Sequence, residues 1–297
     1  MLELHASTRE SAESAILISG SARSGTTIVG KLVHSFETVE YVFEPPALIA
    51  LFPLIESLRQ TDWNYLYEAY LYEEFLINAV SGRAINTNLA DDSSIYAVKD
   101  KAEIDSRLAR SWPKAEAAAL APQRRAAYKI PNIVPYIPTL RARYPGMSVI
   151  MMVRGALETI HSLLAKHSFT FGHPSADLPW PYRVDAGQRI PYWVKKGDEG
   201  VWRELNELDR CAYYYIRMSD GFEEADNQFV LKYSNLINNP RQVAESLAEH
   251  LGVNFGAKTT EIIKEIKPLG KPLDSSLLDK ISSEFRMQVK SLSERAE

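Results

Sequence analysis

An α/β fold with a central, mainly parallel β-sheet flanked by helices is the class this sequence predicts, and three observations predict it. Short apolar runs alternate with longer stretches of helical periodicity, which implies crossover connections between parallel strands. The first apolar run closes on a turn rich in glycine and hydroxyls that opens directly into a helix. The length, 297 residues, is enough for one large core, and neither an internal repeat nor a separating linker divides it.

Residues 1–14 are polar, without the apolar core of a signal sequence, and read as a disordered or loosely packed leader ahead of a single domain spanning 15–297. Residues 15–19, Ala-Ile-Leu-Ile-Ser, form a strand that meets Gly20, and helical spacing follows from 25 to 34. Further runs at 39–43, 96–99, 149–153 and 229–233 read as buried strands, with a weaker one at 127–130. Helical patterns occupy 62–80, 133–143, 156–167, 201–218 and 240–251. The Ala-rich stretch 115–127, with Pro122, reads as a surface helix and hinge. Residues 168–200 are dense in Pro, Gly and aromatics without a period, and a loop of that length predicts either an acceptor-site lid or a packed insertion.

Composition narrows the function. Hydrophobic residues at 45% and charged residues at 24% are globular values, and a net charge of −4 exerts no general pull on nucleic acid or anionic membrane. Any polyanion must therefore be held by a local pocket. The longest apolar run, 47–55, is about half the ~20 residues a membrane span requires. The single Cys211 cannot form an internal disulfide, and the expected compartment is the reducing cytoplasm.

The strongest motif is Gly20-Ser-Ala-Arg-Ser-Gly-Thr-Thr27 between strand and helix. Such a turn aims successive backbone N–H groups and a helix N-terminus at one point, which is an anion cradle. The spacing follows a nucleotide P-loop through Gly25, but Thr26 stands where that motif requires lysine. Without the lysine, hydrolysis of a nucleoside triphosphate loses its main charge stabiliser. Arg23, inside the loop, offers a planar fork suited to phosphate or sulfonate instead.

Arg23-Ser-Gly-Thr-Thr27 resembles the 5′-phosphosulfate loop of sulfotransferases that use 3′-phosphoadenosine 5′-phosphosulfate (PAPS). The resemblance implies a P-loop-like three-layer sandwich, PAPS as co-substrate, and a hydroxyl-bearing acceptor. It also implies that Arg23, Ser24, Gly25, Thr26 and Thr27 hold the 5′ end of the donor. A second motif, Val149-Ile-Met-Met-Val-Arg154 leading to Ser162, resembles the family's 3′-phosphate site, where an arginine at a strand end and a serine on the next helix share one phosphate. A helix starting near Ala156 puts Ser162 about 9 Å along its axis, within reach of the arginine. Val230-Leu-Lys-Tyr233 resembles the late strand whose tyrosine lies near adenine, so Tyr233 either stacks on the base or is a core aromatic. The family's acidic residue after this tyrosine is Ser234 here, and its C-terminal loop is not recognisable around Gly270-Lys271.

Transfer also needs a base and a cation at the departing oxygen. The histidine that cytosolic branches carry after a lysine is missing, since Lys129 is followed by Ile130-Pro131-Asn132. Branches acting on tyrosine and glycans use a glutamate about twenty residues past the loop, where this chain has Glu44. The resemblance thus implies Glu44 as base and Lys129 as the cation on the sulfuryl group, while the bland alternative for Glu44 is a cap on the next helix. The histidines show no ligand spacing, so no metal is expected, and His34 reads as a helix-surface residue. Aromatics within 169–193 suit a sugar, phenol or lipid-like alcohol, whereas Arg183, Arg189, Lys195 and Lys196 suit an acidic acceptor. The competing classes are a nucleotide kinase or NTPase with a degenerate P-loop, and a PAPS-binding relative without activity.

Overall fold

Five strands, β1 (Ile16–Gly20), β2 (Val39–Phe43), β3 (Arg125–Lys129), β4 (Ser148–Val153) and β7 (Gln228–Lys232), pair in the order β2-β3-β1-β4-β7, and every pairing is parallel. The structure, a computed structural model, describes residues 4–83, 85–91, 93–170, 181–219, 225–267 and 273–296. β1 and β4 are buried along their whole length, which is why they read as unbroken apolar runs. Their alternate side chains enter different cores. Leu17, Tyr128, Val149 and Met151 pack into one cluster, while Ile16, Ile18, Ile150 and Met152 pack into the other. Helices cover both faces, giving the three layers.

The crossover from β1 to β2 is the helix Thr26–His34, and that from β4 toward β7 includes Ala156–Leu164 and Glu207–Ser219. Both crossovers start at the carboxyl edge of adjacent central strands, in register at Ile18↔Ile150, the place where parallel sheets gather ligands. The helical pattern expected at 62–80 is continuous from Gln60 to Val80, passing through a π-helical segment, Tyr70–Leu76.

Four expectations need correction. The run 96–99 is no strand: Ile95–Ala97 is a 3₁₀ turn, and β2 is the sheet edge. Val98 of that run and its neighbour Ile95 bury in the cluster that holds Val29, Leu32 and Val33 of the helix Thr26–His34 instead, anchored by Lys99 Nζ donating to the Phe36 carbonyl at 2.7 Å. The helix expected at 201–218 is two, Glu199–Glu204 and Glu207–Ser219, because Asn206 accepts the Asp209 N–H at 3.0 Å and starts a new helix. The leader is not loose, since it carries the helix Ala6–Glu13. Ala12 is fully buried, and the Arg9 guanidinium reaches Glu13 (2.6 Å) and Glu68 (3.2 Å) while lying 4.4 Å over the Tyr144 ring. The fourth, at 115–127, ends early: the helix stops at Leu120, and Arg125 already belongs to β3.

Part of 168–200 lies outside the described residues. What is described there is a hairpin, β5 (Tyr182–Asp185) with β6 (Gln188–Pro191), followed by buried Tyr192, Trp193 and Val194. Trp193 packs edge-on against Trp202 and Tyr214, so these aromatics belong to the core.

Candidate active site

The turn after β1 is held open by backbone geometry that few residues tolerate. Gly20, Arg23 and Gly25 have φ of +138°, +70° and +96°. Gly25 precedes the helix Thr26–His34 without any side chain capping it, so the first-turn N–H groups face outward from the loop. The Tyr233 ring closes over Gly25: a Cβ there would sit 2.7 Å from the ring. Gly25→Ala therefore combines a left-handed φ with a ring clash, and it is expected to lower unfolding stability by about 1–3 kcal/mol. Chemical denaturation checks this, and an unchanged midpoint and slope would show that the loop relaxes freely.

Inside the loop, Ser24 is fully buried and donates to the Ser21 carbonyl at 2.7 Å, and Thr26 is buried at the helix start, whereas Thr27 is exposed. The Ala22 N–H donates to the Tyr214 hydroxyl, which donates in turn to Asn132 Oδ1. This chain ties the loop to the end of β3 and to the helix Glu207–Ser219. Sequence reasoning missed both residues. Tyr213-Tyr-Tyr215 on a helix reads as core aromatics, and only the left-handed φ of Asn132 (+71°), after Pro131, hints at a special turn.

Two residues of the second motif bond to Arg23. Its Nε donates to Ser162 Oγ at 3.0 Å, and Arg154 Nη1 donates to its carbonyl at 2.8 Å. The Arg154 guanidinium also lies 4.4 Å over the Tyr233 ring, and its Nε is buried with no hydrogen-bond partner. The structure thus gathers Arg23, Arg154, Ser162 and Tyr233 around one turn, with two guanidinium groups and a helix N-terminus aimed at a shared space. An oxyanion there would meet charge, hydroxyl and backbone N–H donors together.

Glu44 follows β2 immediately, with φ of +42°, an uncommon conformation for a residue with a side chain. Its N–H donates to the Lys129 carbonyl at 2.9 Å, and its carboxylate pairs with Lys129 Nζ. The next helix, Pro46–Leu51, has no side-chain cap, so Glu44 does not cap it. Lys129 is nearly buried and its Nζ lies 4.0 Å from the Phe43 ring centroid. Burial pushes the lysine below its ordinary pKa, the Glu44 carboxylate opposes that, and the Arg23 charge adds to it, which places Arg23 in the same field. Burial raises the Tyr214 hydroxyl, the Ala22 N–H bond opposes that, and the Glu44 charge adds to the rise.

His34 departs from the expected surface position. It is half-buried, its ring 5.6 Å from that of Tyr41, and burial followed by the Lys99 and Arg107 cations holds its imidazole well below the usual range. Both His34 and Tyr41 line a cavity of about 890 Å³ that begins at Arg23, Gly25 and Arg154. Among the described residues no group of three His, Cys, Asp or Glu side chains is arranged for a metal, and no helix is long and apolar enough to cross a membrane. Gly270-Lys271 lies outside the described residues.

Fold and site together define an α/β protein with an anion-binding turn at the carboxyl edge of a parallel sheet. Residues 15–257 match the model of the sulfotransferase family, and the chain belongs to that family. No curated protein matches it. Among solved structures, the chain is similar to the sulfotransferase domain of the Synechococcus PCC 7002 olefin synthase, at 14% identity and a TM-score of 0.47, over 94% of this chain and 93% of that one. It is also similar to sulfotransferase STF9 from Mycobacterium avium, at 12% identity and 0.46 over 94% and 76% of the two chains. A sulfotransferase from Alicyclobacillus acidocaldarius gives 12% and 0.43 over 94% and 93%.

Proposed function

We propose that this chain transfers the sulfuryl group of PAPS to the hydroxyl of an acceptor, in the reducing cytoplasm. The observation that carries the reading is the convergence of Arg23, Arg154, Ser162 and Tyr233 on the turn after β1. In this reading Ser24, Gly25, Thr26 and Thr27 hold the 5′-phosphosulfate with backbone and hydroxyl donors, and Arg23 faces the transferred group. Arg154 and Ser162 bind the 3′-phosphate, and the unpartnered Nε of Arg154 is a donor left for such an oxygen. Tyr233 packs the nucleoside from the side of Gly25.

Glu44 removes the acceptor's proton as its oxygen bonds to sulfur, and the bond from sulfur to the bridging oxygen breaks, releasing adenosine 3′,5′-bisphosphate. Lys129, held beside Glu44, stabilises the charge growing on that bridging oxygen. The absence of the P-loop lysine at Thr26 argues against the kinase alternative.

Arg154→Ala and Ser162→Ala are expected to leave the fold intact and weaken adenosine 3′,5′-bisphosphate binding. A hydrogen bond to a charged group contributes about 1.5–3 kcal/mol, so the arginine change costs at least about tenfold in affinity. Calorimetric titration measures this, and unchanged affinity in both variants would remove the 3′-site assignment.

A further inference from the structure

Three consecutive buried tyrosines on the helix Glu207–Ser219 reach three different segments, as the turn of about 100° between neighbouring helical residues requires. The Tyr213 hydroxyl donates to Asp198 Oδ2 at 2.7 Å and accepts the Lys195 N–H at 3.1 Å. The Tyr214 hydroxyl accepts the Ala22 N–H and donates to Asn132 Oδ1. The Tyr215 hydroxyl donates to the Arg154 carbonyl at 3.1 Å. Two neighbouring side chains thus hold the turn after β1 and the turn after β4. The two turns are themselves joined, because Arg154 Nη1 donates to the Arg23 carbonyl at 2.8 Å. These bonds close a circuit that leaves the helix through Tyr214, passes Ala22 and Arg23, crosses to Arg154 and returns through Tyr215. It is braced to the end of β3, where Ser19 Oγ donates to the Ile130 carbonyl at 2.8 Å and the Asn132 N–H donates to the Gly20 carbonyl at 3.4 Å.

We propose that Tyr214 and Tyr215 are positioning residues, through which one helix fixes the separation of the two anion sites and with it the preference for a nucleotide phosphorylated at both ends. The proposal rests on the donor reading above for the identity of the ligand, whereas the circuit does not depend on it. A phenol both donates and accepts, which position 214 needs because one partner there is an N–H and the other an amide oxygen. Arg23, next to Ala22, and Asn132 have φ of +70° and +71°, conformations that residues with a side chain keep only where their surroundings hold them. With the Ala22 N–H engaged by Tyr214, the backbone donors left for an oxyanion are those at the helix start. Tyr215 fixes the Arg154 main chain from behind while the Arg23 carbonyl holds its guanidinium, and Nε is left for a ligand. Anion donors placed in advance need no ordering when the nucleotide binds, so a loosened turn costs affinity at its own end of the ligand.

The test joins amide hydrogen exchange on the ligand-free chain to calorimetric titration with adenosine 3′,5′-bisphosphate and adenosine 5′-phosphate, for Tyr213→Phe, Tyr214→Phe and Tyr215→Phe. Each change keeps a ring in the core, as at Tyr214 against Phe169 (5.2 Å) and Trp193 (4.9 Å), and removes one hydroxyl from the same helix. Tyr213→Phe therefore measures that loss where neither turn is involved. Tyr214→Phe is expected to speed exchange in 20–27 and to weaken both nucleotides alike, by about threefold to tenfold, the margin of one hydrogen bond. Tyr215→Phe is expected to speed exchange in 153–157 and to weaken the bisphosphate by that same margin, with the monophosphate within about twofold of wild type. Tyr213→Phe is expected to change neither nucleotide. A loss shared equally by both nucleotides in all three variants would show a role in stability alone and overturn the proposal. Unchanged exchange and affinity in the Tyr214 and Tyr215 variants, or a Tyr215→Phe chain that loses both nucleotides equally, overturns it as well. Equal binding of the two nucleotides by the wild-type chain would instead count against the donor reading, and exchange in 20–27 and 153–157 would then decide the circuit by itself.

Discussion

Glu44→Gln is expected to reduce sulfuryl transfer by about 10²–10⁴-fold while leaving adenosine 3′,5′-bisphosphate affinity within about twofold, because the amide keeps the shape but cannot take the acceptor's proton. Stability alone cannot produce such a loss. The side chain caps no helix, and about a third of its surface is open, at 31%. Its backbone position is the unusual part: the left-handed φ and the N–H bond to the Lys129 carbonyl place the carboxylate at the end of β2 and are unaffected by the change. Single-turnover kinetics with labelled PAPS and any accepted alcohol reads the rate. A Gln variant that transfers at the wild-type rate would mean that the base lies elsewhere.

Lys129→Met carries the second large effect. Methionine replaces the buried stem, and the Glu44 carboxylate left behind retains access to water, so the fold is expected to persist. The cation at the departing oxygen is lost, and the expected cost in kcat is about 10²–10³. Because Lys129 and Glu44 form one ion pair, the double variant Glu44→Gln with Lys129→Met is expected to be little slower than the worse single variant. Rates that multiply across the double variant would show two independent roles.

The contrast between what was and was not legible in the sequence follows burial. β1 and β4 stood out because strands buried on both faces are continuous apolar runs ended by turn residues, as in Val149-Ile-Met-Met-Val153, while the half-buried edge strands β2 and β7 stood out through short runs of β-branched and aromatic residues. The same rule misread 96–99, since Tyr96-Ala97-Val98 packed beside a helix has the same composition as a strand. The helix Ala6–Glu13 was hidden because its anchors, Glu68 and Tyr144, are far away in sequence. At the site, Arg23, Arg154, Ser162 and Glu44 were singled out because the motifs that carry them resemble those of the sulfotransferase family. Tyr214 and Asn132 were not, because the bond each makes spans 82 residues and neither type is unusual in its local context. His34 was read as a surface residue for a similar reason: the Lys99 and Arg107 cations that act on it lie more than 60 residues downstream.

The central claim, that this turn and its three partners hold a nucleotide phosphorylated at both the 3′ and 5′ positions, is tested most directly by comparing nucleotides on the wild-type chain. Calorimetric titration with adenosine 3′,5′-bisphosphate, adenosine 5′-phosphate and ATP with magnesium provides the comparison. The account predicts that the bisphosphate binds at least about tenfold more tightly than the monophosphate, because only it engages Arg154 and Ser162 together. It predicts no advantage for ATP with magnesium. Equal affinity for bisphosphate and monophosphate, or tighter binding of ATP with magnesium, would contradict it.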